Sequence, residues 1–480
     1  MYEVYYCIKG HEHEYETQTT IQVFRPNGKY VRVCEPPETG ICVLAEFSEE
    51  HGSEAVIFVD NAVVARAETA VCGSDEKGIR KAVIISIYKA FLGMGEREQP
   101  WGVLNGIRPA KIVHNLWQSG FSDDDVKNTL LSEYLVSPRK VELCMAVAKA
   151  EKEILRQIRG GDLGLYIGVP FCPSRCLYCS FTSFPIGKYE KKLPEYFDAF
   201  EKELKNASEY AKKRNIKSVY VGGGTPTALS DYFLDRLLCT TAENFDINGA
   251  EFTVEAGRPE TITLEKLKIL KKYNVTRISI NPQTLDGETL KRIGRGHTPK
   301  EFLNAYKMAE NEGFININTD VILGLPGESA DNVANTFEKI TRLSPKSVTV
   351  HTLAVKRASA LNQNFGDFQL ASCGEIEKML TISAEYCEKM NLSPYYMYRQ
   401  KNMTGNYENV GYCADGFICE YNVQIMEERQ DIIAVGPGGS TKLIGGEKGR
   451  IKRIFGPKGI EEYIAKVDSL IENKVKAGIF

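Results

Sequence analysis

The chain has 480 residues, of which 43% are hydrophobic and 26% charged, and its formal net charge is −3. That composition is ordinary for a globular chain with a large core, and the length predicts roughly three domains. The near-neutral charge excludes a nucleic-acid surface built on bulk charge, and no apolar run approaches the roughly 18 residues of a membrane span.

The opening residues, Met1-Tyr-Glu-Val-Tyr-Tyr-Cys, lack a basic stretch followed by an apolar one. No signal peptide is expected, and the cytoplasm is the expected compartment. Lys188, Lys191 and Lys192 cluster, as a solvated helix face does.

Short runs rich in β-branched residues come next: Ile21-Gln-Val-Phe, Gly40-Ile-Cys-Val-Leu-Ala-Glu-Phe and Ala55-Val-Ile-Phe-Val. Turn clusters such as Arg25-Pro-Asn-Gly separate them, so they are expected to be antiparallel strands. Helical patterns follow at Ile79–Leu92 and Ser122–Tyr134. Residues 1–150 are therefore predicted to be an α+β accessory domain, without a chemical motif. Residues 141–158 form a helix-like connector.

From Gly161 the rhythm changes. Strands are expected at Leu163–Val169, Ser218–Val221, Glu251–Val254, Arg277–Ile280, Ile315–Leu323 and Ser347–Leu353, with amphipathic helices between them. Six strands alternating with helices predict an α/β fold, a partial (β/α)6 TIM-like barrel over residues 160–360. Ligands in such sheets sit at the C-terminal ends of the strands. Residues 361–480 read as a mixed C-terminal, substrate-side domain, with a helix near Cys373–Met390 and an aromatic segment from Tyr395 to Tyr412.

Of 13 cysteines, three sit together in Cys172-Pro-Ser-Arg-Cys176-Leu-Tyr-Cys179, directly after the first barrel strand. A chain this long needs no disulfide framework. Three thiolates on one loop can converge on a single metal site. Structural zinc normally takes four protein ligands, and the next candidate, Cys239, lies on a different unit. A four-iron cluster tolerates an open corner, where an exogenous ligand can bind. Zinc and a chance group of buried thiols are the alternatives.

The C-x3-C-x2-C loop after the first strand of a partial barrel resembles the radical S-adenosylmethionine (SAM) superfamily. That resemblance implies a [4Fe-4S] cluster on Cys172, Cys176 and Cys179. It also implies reductive cleavage of SAM to methionine and a 5′-deoxyadenosyl radical that abstracts hydrogen. The protein would supply placement and water exclusion.

Other strand ends carry supporting motifs. Val221-Gly-Gly-Gly-Thr-Pro226 offers backbone groups for close approach to a ligand. Glu255 ends the third strand, where a carboxylate suits ribose hydroxyls. Asp320 lies inside an apolar strand, an expensive position unless it is paired; Arg295 or a bound amine are the expected partners.

Together with Gln283 and Tyr398–Tyr412, these motifs resemble oxygen-independent coproporphyrinogen III oxidase (coproporphyrinogen dehydrogenase), in the bacterial variant with an extra N-terminal domain. Pro100-Trp-Gly-Val-Leu-Asn-Gly-Ile-Arg-Pro resembles that variant's N-terminal region. The resemblance implies that Tyr166, the catalytic candidate, and Tyr178 line the cluster and contact SAM. It gives Gly223, Gly224, Thr225 and Glu255 to SAM, and Gln283, Arg295, Asp320 and Ala354 to that SAM or a second one. The implied reaction is decarboxylation of coproporphyrinogen III to protoporphyrinogen IX in anaerobic heme biosynthesis. A flavodoxin or ferredoxin is the implied electron donor. Arg357 and Arg399 are candidates for the substrate's carboxylates.

Two positions depart from the best-known members. A histidine expected two residues after Tyr166 is Gly168, and no fourth cysteine follows Cys179 in Ser180-Phe181. The alternatives are a radical enzyme acting on another tetrapyrrole, as in heme breakdown, and a cluster-containing heme chaperone.

Overall fold

A computed structural model of the chain describes residues 2–26, 28–71, 75–104, 106, 108–356, 359–363, 368–400, 406–445 and 450–478. It divides into two compact units, Met1–Met145 with Arg399–Tyr407, and Ala146–Tyr398 with Glu408–Phe480.

The first unit is built on a five-stranded sheet. Its strand Glu3–Lys9, next to one edge, pairs in parallel with the edge strand Lys29–Arg32 and with the central strand Ile41–Ser48. Ile41–Ser48, Gly52–Val59 and Ala62–Thr69 then continue as an antiparallel meander. The expected strand Ile21–Phe24 is instead the end of the helix Glu14–Phe24. Ile21 and Phe24 are three apart and both buried, so their β-branched and aromatic character serves a helix face rather than a pleat. Phe24 stacks on Phe91 of the helix Glu76–Gly93, with ring centroids 4.6 Å apart. Sequence alternation over 21–24 is too short to separate period 2 from period 3.6.

The second unit holds an eleven-stranded sheet in linear order. Its heart is six parallel strands in sequence order: Asp162–Val169, Asn215–Gly223, Glu251–Glu255, Arg277–Ser279, Asn316–Leu323 and Ser347–Thr352. These are the six strands of the expected (β/α)6 partial barrel. They are largely buried, yet they mix apolar residues with polar ones such as Arg277, Asn318, Asp320 and His351. Helix starts are capped where the sequence places hydroxyls. Thr298 and Ser329 each form a reciprocal cap with the residue three positions on, Glu301 and Asn332.

Residues 361–480 add strands to both edges of this sheet. Glu408–Cys413 pairs antiparallel with Ser347–Thr352, and Ser393–Arg399 lies outside it. At the other edge, Asp431–Val435 runs parallel to the first barrel strand, followed by Ser440–Leu443 and Lys452–Phe455. The helix Ile460–Lys476 is tied down by a buried ion pair. Lys474 Nζ donates to Glu203 Oε1 at 2.5 Å, and Tyr463 Oη donates to Glu203 Oε2 at 2.6 Å.

Candidate functional site

The first barrel strand delivers Cys172, Cys176 and Cys179 on the loop that follows it. Cys176 is buried and the other two are half-buried. Backbone hydrogen bonds fasten the loop from several sides. Leu177 N donates to Ile293 O at 2.9 Å, and Cys179 N donates to Cys176 O at 3.1 Å. From the second strand, Gly224 N donates to Val169 O and Thr225 N to Phe171 O, each at 2.7 Å.

This explains the glycine run. A Cβ on Gly224 would lie 2.4 Å from Phe171 O, so only glycine lets the strand end press against the cysteine loop. Gly223 adopts φ +103°. Thr225 Oγ1 lies 3.5 Å from Cys172 Sγ. Gly224 and Thr225 thus spend their amides on the chain that leads into the cysteine loop, anchoring it.

Burial raises the Cys172 thiol to about 11 and raises Cys179 as well. Both are protonated at neutral pH in the metal-free protein, and a bound metal must displace those protons.

Behind the loop stands a residue the sequence reading missed. Arg258 Nη1 donates to Cys176 Sγ at 3.1 Å, and Arg258 Nη2 donates to Ser174 Oγ at 3.0 Å. Its guanidinium also pairs with Glu260 at 2.6 Å. Burial alone would raise the Glu260 carboxyl, but His297 and Arg258 outweigh it and hold it at about 2. Arg295 Nη1 lies 3.9 Å from the same Cys176 sulfur.

Arg295 is not the partner of Asp320. Its Nη2 donates to the carbonyls of Gly257 and Asn281. Asp320 accepts from Asn281 Nδ2 at 2.8 Å and Asn318 Nδ2 at 2.7 Å, and His351 Nε2 lies 3.7 Å away. Burial pushes the Asp320 carboxyl up, but His351 and Asn318 outweigh it and keep it below its ordinary value. Asn281 therefore bridges the two, through its carbonyl to Arg295 and its amide to Asp320. Sequence reasoning chose Arg295 or a bound amine and overlooked three polar residues, Asn281, Asn318 and His351.

Gln283 has φ +65° and a buried Oε1 without a hydrogen-bond partner among the described residues. A non-glycine residue held at positive φ is strained, and such strain concentrates at functional sites. The leftover acceptor suits a donor on a bound ligand.

Tyr166, Tyr220 and Tyr421 stack in the barrel, Tyr220 and Tyr421 with centroids 4.4 Å apart and Tyr166 and Tyr220 with 6.3 Å. Tyr421 is delivered by the helix Glu420–Glu427, whose first amides donate to Glu251 of the third barrel strand. A carboxylate at a helix N-terminus is favoured by the helix dipole. Tyr220 Oη donates to Glu255 Oε1 at 2.5 Å. Burial raises Glu255 to about 7 against that hydrogen bond. Tyr178 packs against the apolar cluster of Leu290, Ile293 and Leu353, and Ala354 lies two residues past the end of the sixth strand.

Arg399 belongs to the first unit, where it donates to the carbonyls of Asn406 and Leu104. Arg357 lies outside the described residues. No helix among the described residues is long and apolar enough to cross a membrane.

The donor set fits an iron–sulfur cluster and SAM. Three thiols share one loop, cationic side chains back it, and an orphaned buried acceptor, Gln283 Oε1, follows the fourth barrel strand. The profile of the Radical SAM superfamily matches residues 166–340. The chain belongs to the radical SAM superfamily, within the group of coproporphyrinogen-III-oxidase-like proteins.

It is 37% identical over 400 residues to the oxygen-independent coproporphyrinogen-III oxidase-like protein HemZ of Bacillus subtilis, covering 82% of this chain and 79% of that one. The heme chaperone HemW of Escherichia coli is 29% identical over 282 residues, covering 58% and 70% respectively. The fold matches Escherichia coli coproporphyrinogen III oxidase (HemN), a radical SAM enzyme. The TM-score is 0.54 at 20% identity, covering 67% of this chain and 72% of that one.

Proposed function

We propose that the chain is an enzyme that oxidatively decarboxylates coproporphyrinogen III to protoporphyrinogen IX without oxygen. The observation that carries this reading is its similarity to HemZ across about four-fifths of both chains. Cys172, Cys176 and Cys179 would hold the [4Fe-4S] cluster. Tyr166, Tyr178, Gly223, Gly224, Thr225 and Glu255 would surround SAM. Gln283, Arg295, Asp320 and Ala354 would hold that SAM or a second one. When bound, the cluster and SAM would supply radical chemistry for hydrogen abstraction.

The chain's own residues do the rest. Arg258 and Arg295 set positive charge against the cluster side of the site. Asp320, held ionised by Asn281, Asn318 and His351, offers a carboxylate to an amine or hydroxyl. Gln283 offers a carbonyl oxygen. The apolar residues packed beside Tyr178, Leu290, Ile293 and Leu353, would give the site an apolar wall. A flavodoxin- or ferredoxin-type protein would donate the electron, and the cytoplasm is the proposed compartment.

The test is anaerobic turnover of the reconstituted protein with SAM, a strong reductant and coproporphyrinogen III, read by mass spectrometry. Mono- and divinyl products support the reading. SAM cleavage without vinyl products overturns this substrate and directs the search to other tetrapyrroles. A second reading, heme trafficking without turnover, draws on the similarity to HemW and on Gly168. It predicts heme binding with no vinyl product.

A further inference from the structure

We infer that Arg258 and Glu260 form a charge pair that sets the reduction potential of the cluster. The inference rests on the assignment of Cys172, Cys176 and Cys179 as its ligands.

Arg258 is almost wholly enclosed, with 3% of its side chain exposed, and it donates to Cys176 Sγ at 3.1 Å. A hydrogen bond to a ligating sulfur and a nearby positive charge both favour the reduced, more negative state of an iron–sulfur centre.

Position follows from three neighbours. Ser174, inside the cysteine loop, accepts from the guanidinium through both its carbonyl and its hydroxyl. Glu260 holds the far side through Nε at 2.8 Å and Nη2 at 2.6 Å. Gly296 leaves the room: a Cβ there would lie 2.9 Å from Glu260 Oε1. His297 Nδ1 stands 3.4 Å from the other Glu260 oxygen and is itself buried. Such outer-shell partners orient and tune metal ligands.

The pair has a sign on each side. Arg258 contacts the sulfur, and Glu260 contacts Arg258 from behind. Removing the arginine leaves the anion and lowers the potential. Removing the anion leaves the cation uncompensated and raises it. Arg295 is the other cation beside Cys176, with its Nη1 3.9 Å from the sulfur. Arg258 is thus a positioning and tuning residue that acts through Cys176.

The experiment is redox titration of the anaerobically reconstituted full-length protein, followed by electron paramagnetic resonance without SAM or substrate. Iron and sulfide are counted first. Wild-type protein that binds far from about four of each overturns the ligand assignment itself, independently of Arg258. With the cluster loaded, Arg258→Gln is expected to make reduction about tenfold less favourable, about 59 mV more negative for one electron. Arg258→Lys keeps the charge and shifts less. Glu260→Gln shifts the potential the other way. Unchanged potentials, or shifts of Arg258→Gln and Glu260→Gln in the same direction, overturn the inference. Where Arg258→Gln fails to load, Glu260→Gln decides alone: a potential at or below wild type overturns it.

Discussion

Tyr220 Oη donates to Glu255 Oε1 across 2.5 Å, and this bond joins the tyrosine stack of the barrel to the carboxylate at its mouth. Burial is the larger influence on Glu255 and raises its carboxyl to about 7; Tyr220 pulls the other way. The folded value lies above the unfolded one of about 4.3. The contribution of Glu255 to stability is therefore complete below the unfolded value and is lost as pH rises through about 7. Thermal unfolding of metal-free wild type and Glu255→Gln between pH 4.5 and 8, roughly the span of that titration, measures it. The variant should lose less stability over this range. Parallel curves would show that Glu255 does not titrate there.

The Gly224 approach to Phe171 predicts a loading defect. Gly224→Ala puts a Cβ 2.4 Å from Phe171 O, against backbone that cannot yield like a side-chain end. The cysteine loop must move, and iron bound per chain after reconstitution should fall severalfold. Gly287→Ala, where a Cβ meets nothing within 4 Å, is the control and should load as wild type does. Equal loading of both variants would remove the proposed role of Gly224.

His351 lowers the Asp320 carboxyl against the opposing effect of burial. Because the folded value lies below the ordinary one, that stability is present above the unfolded value and is lost as pH falls through the folded one. Replacing His351 with Phe should raise the Asp320 value and move the acid-unfolding midpoint to higher pH. Fluorescence-monitored acid titration reads this directly. An unmoved midpoint would mean that Asn281 and Asn318 suffice.

The pair of Glu203 and Lys474 is sealed, with side chains 1% and 3% exposed. Breaking one half of such a pair strands a buried charge, at a cost of about 3–5 kcal/mol. Lys474→Met should lower unfolding stability by about that amount in urea titrations. Glu203→Gln together with Lys474→Met should recover part of the loss. Without that recovery, the single variant acts by lost packing instead.

The cysteine loop, the six barrel strands and the glycine run were legible in the amino-acid order, because each depends on neighbours a few residues apart. Ligand spacing on one loop is a covalent fact, and helix–strand alternation shows as a local period. Ile21–Phe24 was misread as a strand for the same reason: four residues carry too little period, and packing on Phe91 decided for the helix.

Tertiary structure alone decided the rest. Arg258 meets Cys176 across 82 positions, and Glu251 caps the helix of Tyr421 across about 170. Asp320 found Asn281 and His351 rather than Arg295 because sheet register, not charge, sets which side chains face each other. The strands at both sheet edges also come from residues 361–480, whose pairing partners lie as far as Leu163. Pairings at such separations are selected by burial and hydrogen-bond geometry in the folded chain, which no short stretch of sequence encodes.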